Sequence, residues 1–281
     1  MLLIALTAFL ILTGCAPDIK VKMPTRTCPG KENSAYALQT LNSKVSDVSA
    51  VKGHGQCLLK YQIEGKTEKL NFPVKLWAQQ SDSFYMQGDI AFDPRALVVG
   101  SNEKEFWLSV KPKEISGYWW GRWADGNRTE DLLISPKMLL EVLGISPIDY
   151  QAIQQWTLSN SGVFDILAQI DGSGKLRQKI YVYCCDYTIR KVEYFDVNEE
   201  LAAVVKMDKF KKFSQDLTAP TRINIVSSKE ADPYVEVYIN LAVVKPTELN
   251  EKQQRGLFVL PPTRGFKNIY RIIEGQAVEQ Y

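Results

Sequence analysis

From Val51 to Glu64 apolar and polar side chains alternate. Val51, Gly53, Gly55, Cys57, Leu59, Tyr61 and Ile63 share one parity, and Lys52, His54, Gln56, Lys60, Gln62 and Glu64 mainly hold the other. A sustained period of two predicts a long strand with one face buried. The same period recurs at Phe72 to Leu76, Ser83 to Phe92, Leu97 to Gly100, Glu105 to Lys111 and Ile115 to Trp123. Pro73 marks the first of these as a strand start or edge, because proline gives no N–H to a ladder. After a helical interruption, strands resume at Val163 to Ile170, Leu176 to Cys184, Ile189 to Phe195, Leu201 to Phe213, Thr221 to Ser227 and Tyr234 to Val244. Asp171-Gly172-Ser173-Gly174 reads as a hairpin turn. Asp232-Pro233 precedes a clean alternation of Val235, Val237, Ile239, Leu241 and Val243.

Helical spacing is confined to a few places. Ser34 to Leu41 has Asn33 or Ser34 as N-cap, with Leu38 and Leu41 on one face. Ser135-Pro136 is an N-cap with proline in the first turn. Met138, Leu139, Val142 and Leu143 follow as an apolar stripe, and Gly144 ends the helix. Ile148 to Trp156 is expected to form a second short helix. Roughly ten strands with the helices grouped at one point predict a mainly antiparallel, highly curved single sheet covered by those helices. No repeat or low-complexity linker divides it, so one domain over residues 34–265 is expected, with residues 266–281 as a tail of little strand signal. Ile115, Gly117, Trp119, Gly121 and Trp123 share one face of their strand. Either the glycines leave room for a ligand beneath the rings, or the indoles fill the core beside a helix.

Composition narrows the classes of function. The chain has 281 residues, 45% hydrophobic and 23% charged, with a net charge of +2. That balance gives no case for nucleic acid, which needs a concentrated basic surface. A single histidine, His54, excludes a His₂ or His₃ metal site and leaves a Ser-His-Asp triad dependent on one residue of a polar strand face. Gly172-Ser173-Gly174-Lys175 fails as a phosphate loop, because Gln169 stands at the upstream glycine position and Leu176 at the hydroxyl position. Carboxylates are scattered, and nothing singles out a glycosidase-like pair. A non-catalytic role is expected, with no cofactor.

Leu2 to Leu12 form an apolar run of signal-peptide length, closing on Leu12-Thr13-Gly14-Cys15. This resembles the lipobox of bacterial lipoproteins. The resemblance implies that residues 1–14 are removed, that Cys15 is acylated and becomes the mature N-terminus, and that Ala16 after it directs the anchor to the outer membrane, facing the periplasm. No later run approaches the roughly 18 residues of a membrane-spanning helix. Residues 15–33, with three prolines and several lysines, read as a flexible tether.

Four further cysteines, Cys28, Cys57, Cys184 and Cys185, allow three disulfide connectivities in an oxidising compartment. A Cys28–Cys57 bond would staple the tether to the domain. The vicinal Cys184-Cys185 pair stands where a strand runs into a turn, without the further ligands a metal site needs.

Several short segments resemble the LolA/LolB family of periplasmic lipoprotein carriers and outer-membrane receptors. Phe72 to Leu76, Met86-Gln87-Gly88 and Asp93-Pro94 are similar to its early strands and the loop after them. Leu139 to Trp156 (Leu-Leu-Glu-Val-Leu-Gly-Ile-Ser-Pro-Ile…Gln-Gln-Trp) resembles the receptor's helix, Leu-Gly-x-x-Pro and Trp segment. Gly256-Leu257-Phe258-Val259-Leu260-Pro261-Pro262 resembles the closing Phe…Pro stretch. The resemblance implies an incomplete β-barrel with a helical lid over a cavity for acyl chains, and a periplasmic carrier protein as a partner. Trp119, Trp123, Met138, Leu139 and Leu143 are then candidates for cavity and lid. Leu97, in the loop Phe92-Asp93-Pro94-Arg95-Ala96-Leu97, is the candidate for membrane contact. The expected function is binding of a lipid or lipidated protein at the outer membrane; the alternative is a structural or interaction module of the envelope with a self-filled core.

Overall fold

The computed structural model of the protein describes residues 25–45, 47–63, 65–80, 82–90, 93–112, 116–125, 134–148, 155–215, 217–228 and 234–280. Cys15, Ile115 and the greater part of the expected second helix, residues 149–154, lie outside the described residues. Helix α1 (Ser34–Asn42) leads into a first meander: β1 (Ala50–Ile63), β2 (Lys66–Gln79), β3 (Ser83–Ile90), β4 (Asp93–Ser101), β5 (Glu105–Val110) and β6 (Gly117–Arg122). Helix α2 (Pro136–Val142) lies on the connection to a second meander. That meander runs β7 (Trp156–Ser161), β8 (Phe164–Ile170), β9 (Leu176–Tyr183), β10 (Ile189–Phe195), β11 (Leu201–Lys212), β12 (Thr218–Ser227) and β13 (Val235–Thr247). Helix α3 (Glu251–Leu257) and a closing hairpin, β14 (Ile269–Ile273) and β15 (Gln276–Glu279), complete the chain.

Among the described residues all fifteen strands form one unclosed, curved sheet. The two meanders join back to back where β1 pairs antiparallel with β13, from Ala50↔Thr247 to Tyr61↔Val235. The register shifts between His54 and Gly55, where a Cβ on Gly55 would overlap the carbonyl oxygen of Asn240. Glycine is what lets the bulged strand approach its neighbour. Period two sets the burial: Val51, Gly53, Cys57, Leu59 and Tyr61 are buried, while Lys52, His54 and Gln56 are exposed.

The inner face is the main core. It joins residues of both meanders, such as Phe72, Val99, Ile180, Ile223 and Ile239, to Leu38 of α1 and Leu139 of α2. The outer face of the first meander is also covered. Phe258 at the end of α3 packs with Tyr85, Val98 and Trp107, and Leu257 and Leu260 lie against them. Tyr118 Oη donates to Pro261 O at 2.6 Å, fixing the Pro261-Pro262 stretch across the sheet. Burial on both faces makes β4 read Asp-Pro-Arg-Ala-Leu-Val-Val-Gly-Ser with its last six residues buried.

Four expectations are corrected. Residues 266–281 are not a tail: β14 adds in parallel to β6, and Ile272 packs on Phe106. The segment is too short and mixed to show a strand period alone; the existing edge of β6 supplies its partner. Trp156 begins strand β7 instead of ending a helix. Leu97 is no loop tip. It lies within β4, paired with Gly88 and Val110, and is 1% exposed because its parity points to the core. Finally, Cys28 is bonded to Cys185 and not to Cys57. Cys57 faces the core from β1, and four strands separate β1 from β9, which leads into the turn carrying Cys185.

Candidate functional site

Helices α1 and α2 pack over the inner face of the sheet. Asn33 caps α1 by accepting from Tyr36 N, and Ala37, Leu38 and Leu41 turn inward. Ser135 caps α2 by accepting from Met138 N, and Pro136 occupies the first turn, where its missing N–H costs nothing. Gly144 at φ 71° ends that helix in the left-handed region that glycine tolerates. Met138, Leu139 and Leu143 are all buried in the main core, as the helical spacing predicts.

One amide fastens the cover. Asn42 at the end of α1 donates from Nδ2 to Ile148 O at 2.8 Å and accepts at Oδ1 from Ile148 N at 2.9 Å. The chain beyond α2 is thereby paired to α1 as a strand pair would be. Beside this latch lies a crevice of about 70 Å³, lined among others by Leu41, Asn42, Val142, Ile148, Tyr187 and Ile189. It is well below the roughly 300–1,000 Å³ of ligand pockets.

Both tryptophans pack on the small Phe106–Ile272 cluster, but only Trp119 also reaches the main core. Trp119 is half-buried against the main core and stacks on Tyr270 with centroids 5.7 Å apart and planes at 15°. Its indole lies over Gly117, where a Cβ would overlap it. The room left by the glycine is taken by the neighbouring ring. Trp123 instead joins Phe106, ring centroids 4.5 Å apart, and donates from Nε1 to Asn102 O. It belongs to the small cluster with Ile272 at the β6–β14 edge and not to the α2 stripe.

The end of the sheet opposite that edge carries a second built feature. Residues 25–31 are a strap docked on β7–β9. Arg26 pairs with Asp165 and donates from Nη1 to Phe164 O at 3.3 Å; Lys31 N donates to the other Asp165 oxygen at 2.9 Å. The Asp165 side chain is fully buried, a position a carboxylate holds only when paired. With the Cys28–Cys185 bond, this part of the expected flexible tether is fixed to the domain. One signal pointed there: Asp165 shares the inward parity of Leu167, and a carboxylate at such a position calls for a cation. The latch residue Asn42 gave none.

No protein-family model and no curated protein sequence matches the chain. Solved structures do. An outer membrane lipoprotein-sorting protein domain from Vibrio parahaemolyticus superposes with a TM-score of 0.54 at 13% identity, over 80% of this chain and 98% of that one. A LolA superfamily protein from Nitrosomonas europaea superposes with a TM-score of 0.50 at 11% identity, over 79% and 97%. The likeness covers about four fifths of the chain, so this chain has the LolA/LolB-like fold.

Proposed function

We propose that the chain is an envelope lipoprotein, anchored at the outer membrane through an acylated Cys15, whose LolA-like domain takes the acyl chain of a lipid or lipidated protein on the inner face of its sheet. The observation that carries this reading is the construction of that face. It is apolar across both meanders, and α1 and α2, joined by the Asn42–Ile148 latch, lie over it with an apolar-floored crevice at their junction. The role is binding and handover, not catalysis, with a periplasmic carrier as the expected donor or acceptor.

A second reading rests on a different observation. Leu38, Leu139 and Leu140 are at most 1% exposed, and Trp119 covers Gly117, so the interior is filled by the protein's own side chains. That favours an interaction module of the envelope. Native mass spectrometry with lipid extraction separates the two, using soluble protein that begins after Cys15. A co-purifying acyl species, or uptake of an added fatty-acid probe, supports lipid binding. A clean apo mass that ignores the probe favours the module.

A further inference from the structure

Three sulfurs meet where the strap docks. Cys28 is bonded to Cys185, and Cys184 is a free, buried thiol whose Sγ lies 3.9 Å from Cys185 Sγ. All three sulfur atoms lie within 4.8 Å of one another. Cys57, the other free cysteine among the described residues, takes no part: it lies on β1, and burial pushes its thiol up to about 12. The turn that holds the vicinal pair ends at Tyr187, a buried aromatic residue at φ 53°, in the left-handed region that disfavours bulky side chains. Tyr187, Thr188 and Ile189 then line the crevice beside the latch. A thiol beside a disulfide that closes a separation of 157 residues can exchange with it once the Cys184 side chain turns into line with that bond.

We propose that Cys184 attacks the Cys28–Cys185 disulfide, so that the chain interconverts between a strap-closed form and a strap-released form holding a Cys184–Cys185 bond. The Cys184 thiol gives its proton to water. Its thiolate electron pair forms the new bond to Cys185 Sγ as the Cys185–Cys28 bond breaks. The pair from that bond leaves on Cys28, which takes a proton from water. One disulfide and one thiol stand on each side, so no oxidant or reductant is consumed. Attack on Cys185, whose sulfur is 3.9 Å away, frees Cys28 and leaves the strap held by Asp165 alone among its covalent and ionic fastenings. The turn that rearranges also forms one wall of the crevice, so the exchange reaches the edge of the cover.

The test uses the whole mature protein, held at pH 8 with iodoacetamide present throughout and then digested with trypsin without reduction. Cleavage after Arg26 and Lys31, and after Lys179 and Arg190, places Cys28 in one peptide and Cys184 with Cys185 in another. The expected result is residues 27–31 alkylated at Cys28, matched in amount by residues 180–190 carrying an internal disulfide. In Cys184→Ser the labelling of Cys28 is lost. The wild-type rate should rise with pH, as thiolate attack requires. Equal labelling of Cys28 in the two proteins overturns the proposal, as does a rate independent of pH. So does recovery of the two peptides only as a cross-linked pair, whether Cys28 is joined to Cys185 with Cys184 alkylated or joined to Cys184.

Discussion

Asn42 and Ile148 bind each other twice, side-chain amide to backbone peptide, across a sequence separation of 106 residues. The pair leaves neither the Ile148 N–H nor its C=O open to alternative partners, and it ties the end of α1 to the chain that leaves α2. Asn42→Ala strands both backbone groups, at a cost of about 1–3 kcal/mol. Thermal unfolding should show the loss, and hydrogen exchange should show it concentrated at the Ile148 amide. On the lipid-binding reading, the same variant takes up a fatty-acid probe faster, because the cover opens more readily.

Glycine substitutions separate a tight approach from an open turn. Gly55→Ala drives a Cβ into the Asn240 carbonyl at the β1–β13 join, where backbone and not a movable side chain is in the way. Overpacking of this kind costs about 1–3 kcal/mol. Gly172→Ala, whose Cβ meets nothing within 4 Å, should stay within about 0.5 kcal/mol of wild type. Urea midpoints of the two variants check the contrast.

Leu97→Asp should unfold the domain instead of merely disturbing contact with a membrane. An aspartate there would replace a side chain 1% exposed between Gly88 and Val110. Burying an unpaired carboxylate is among the few changes that cost more than about 4 kcal/mol. Loss of the cooperative near-ultraviolet transition is the expected outcome.

Cys28→Ser removes a cross-link between residues 157 apart, worth about 2–5 kcal/mol where such bonds are native. The Arg26–Asp165 pair and the Lys31 amide keep the strap docked in part. The loss should therefore appear in the global melting temperature before proteolysis cuts the strap. Limited trypsin digestion compared with the melting curve measures both.

Acid weakens the β8–β9 turn. Hydrogen bonds from Ser173 Oγ and Lys175 N, with Arg177 beside it, hold the Asp171 carboxyl well below its ordinary 3.8. A depressed folded-state value contributes stability above the unfolded value and loses it as pH falls from there towards the folded one. Wild type should thus lose stability below about pH 4, while Asp171→Asn is weaker at neutral pH and shows a flatter acid limb. Urea unfolding at pH 7 and pH 3 reads the difference.

Much of the sheet was legible because alternation records which parity faces the core. The long strands β1, β9, β11 and β13 fall where Val51–Glu64, Leu176–Cys184, Leu201–Phe213 and Tyr234–Val244 placed them. Parity fails where both faces are covered. In β4, Leu97 and Val98 are both buried, one against the main core and one beneath Phe258, so a strand looked like the end of a loop. β14 escaped because its partner is the distant edge of β6, and the four-residue β15, paired to β14, is too short to show a period. The α2 stripe of Met138, Leu139 and Leu143 was readable from helical spacing. The Asn42–Ile148 latch was not, and of the Arg26–Asp165 strap only the inward parity of Asp165 gave a sign, since each joins residues more than a hundred positions apart.

The docking of the strap sets a leash. Were Cys15 the acyl anchor, as proposed, the eleven residues that follow it up to Arg26 would span at most about 36–40 Å even when fully extended. A tether free as far as Ser34 would reach to about 63–68 Å. The domain would then work close against the bilayer surface, its β7–β9 end nearest the lipid. Breaking the Cys28 bond and the Asp165 pair would pay out nearly twice the line.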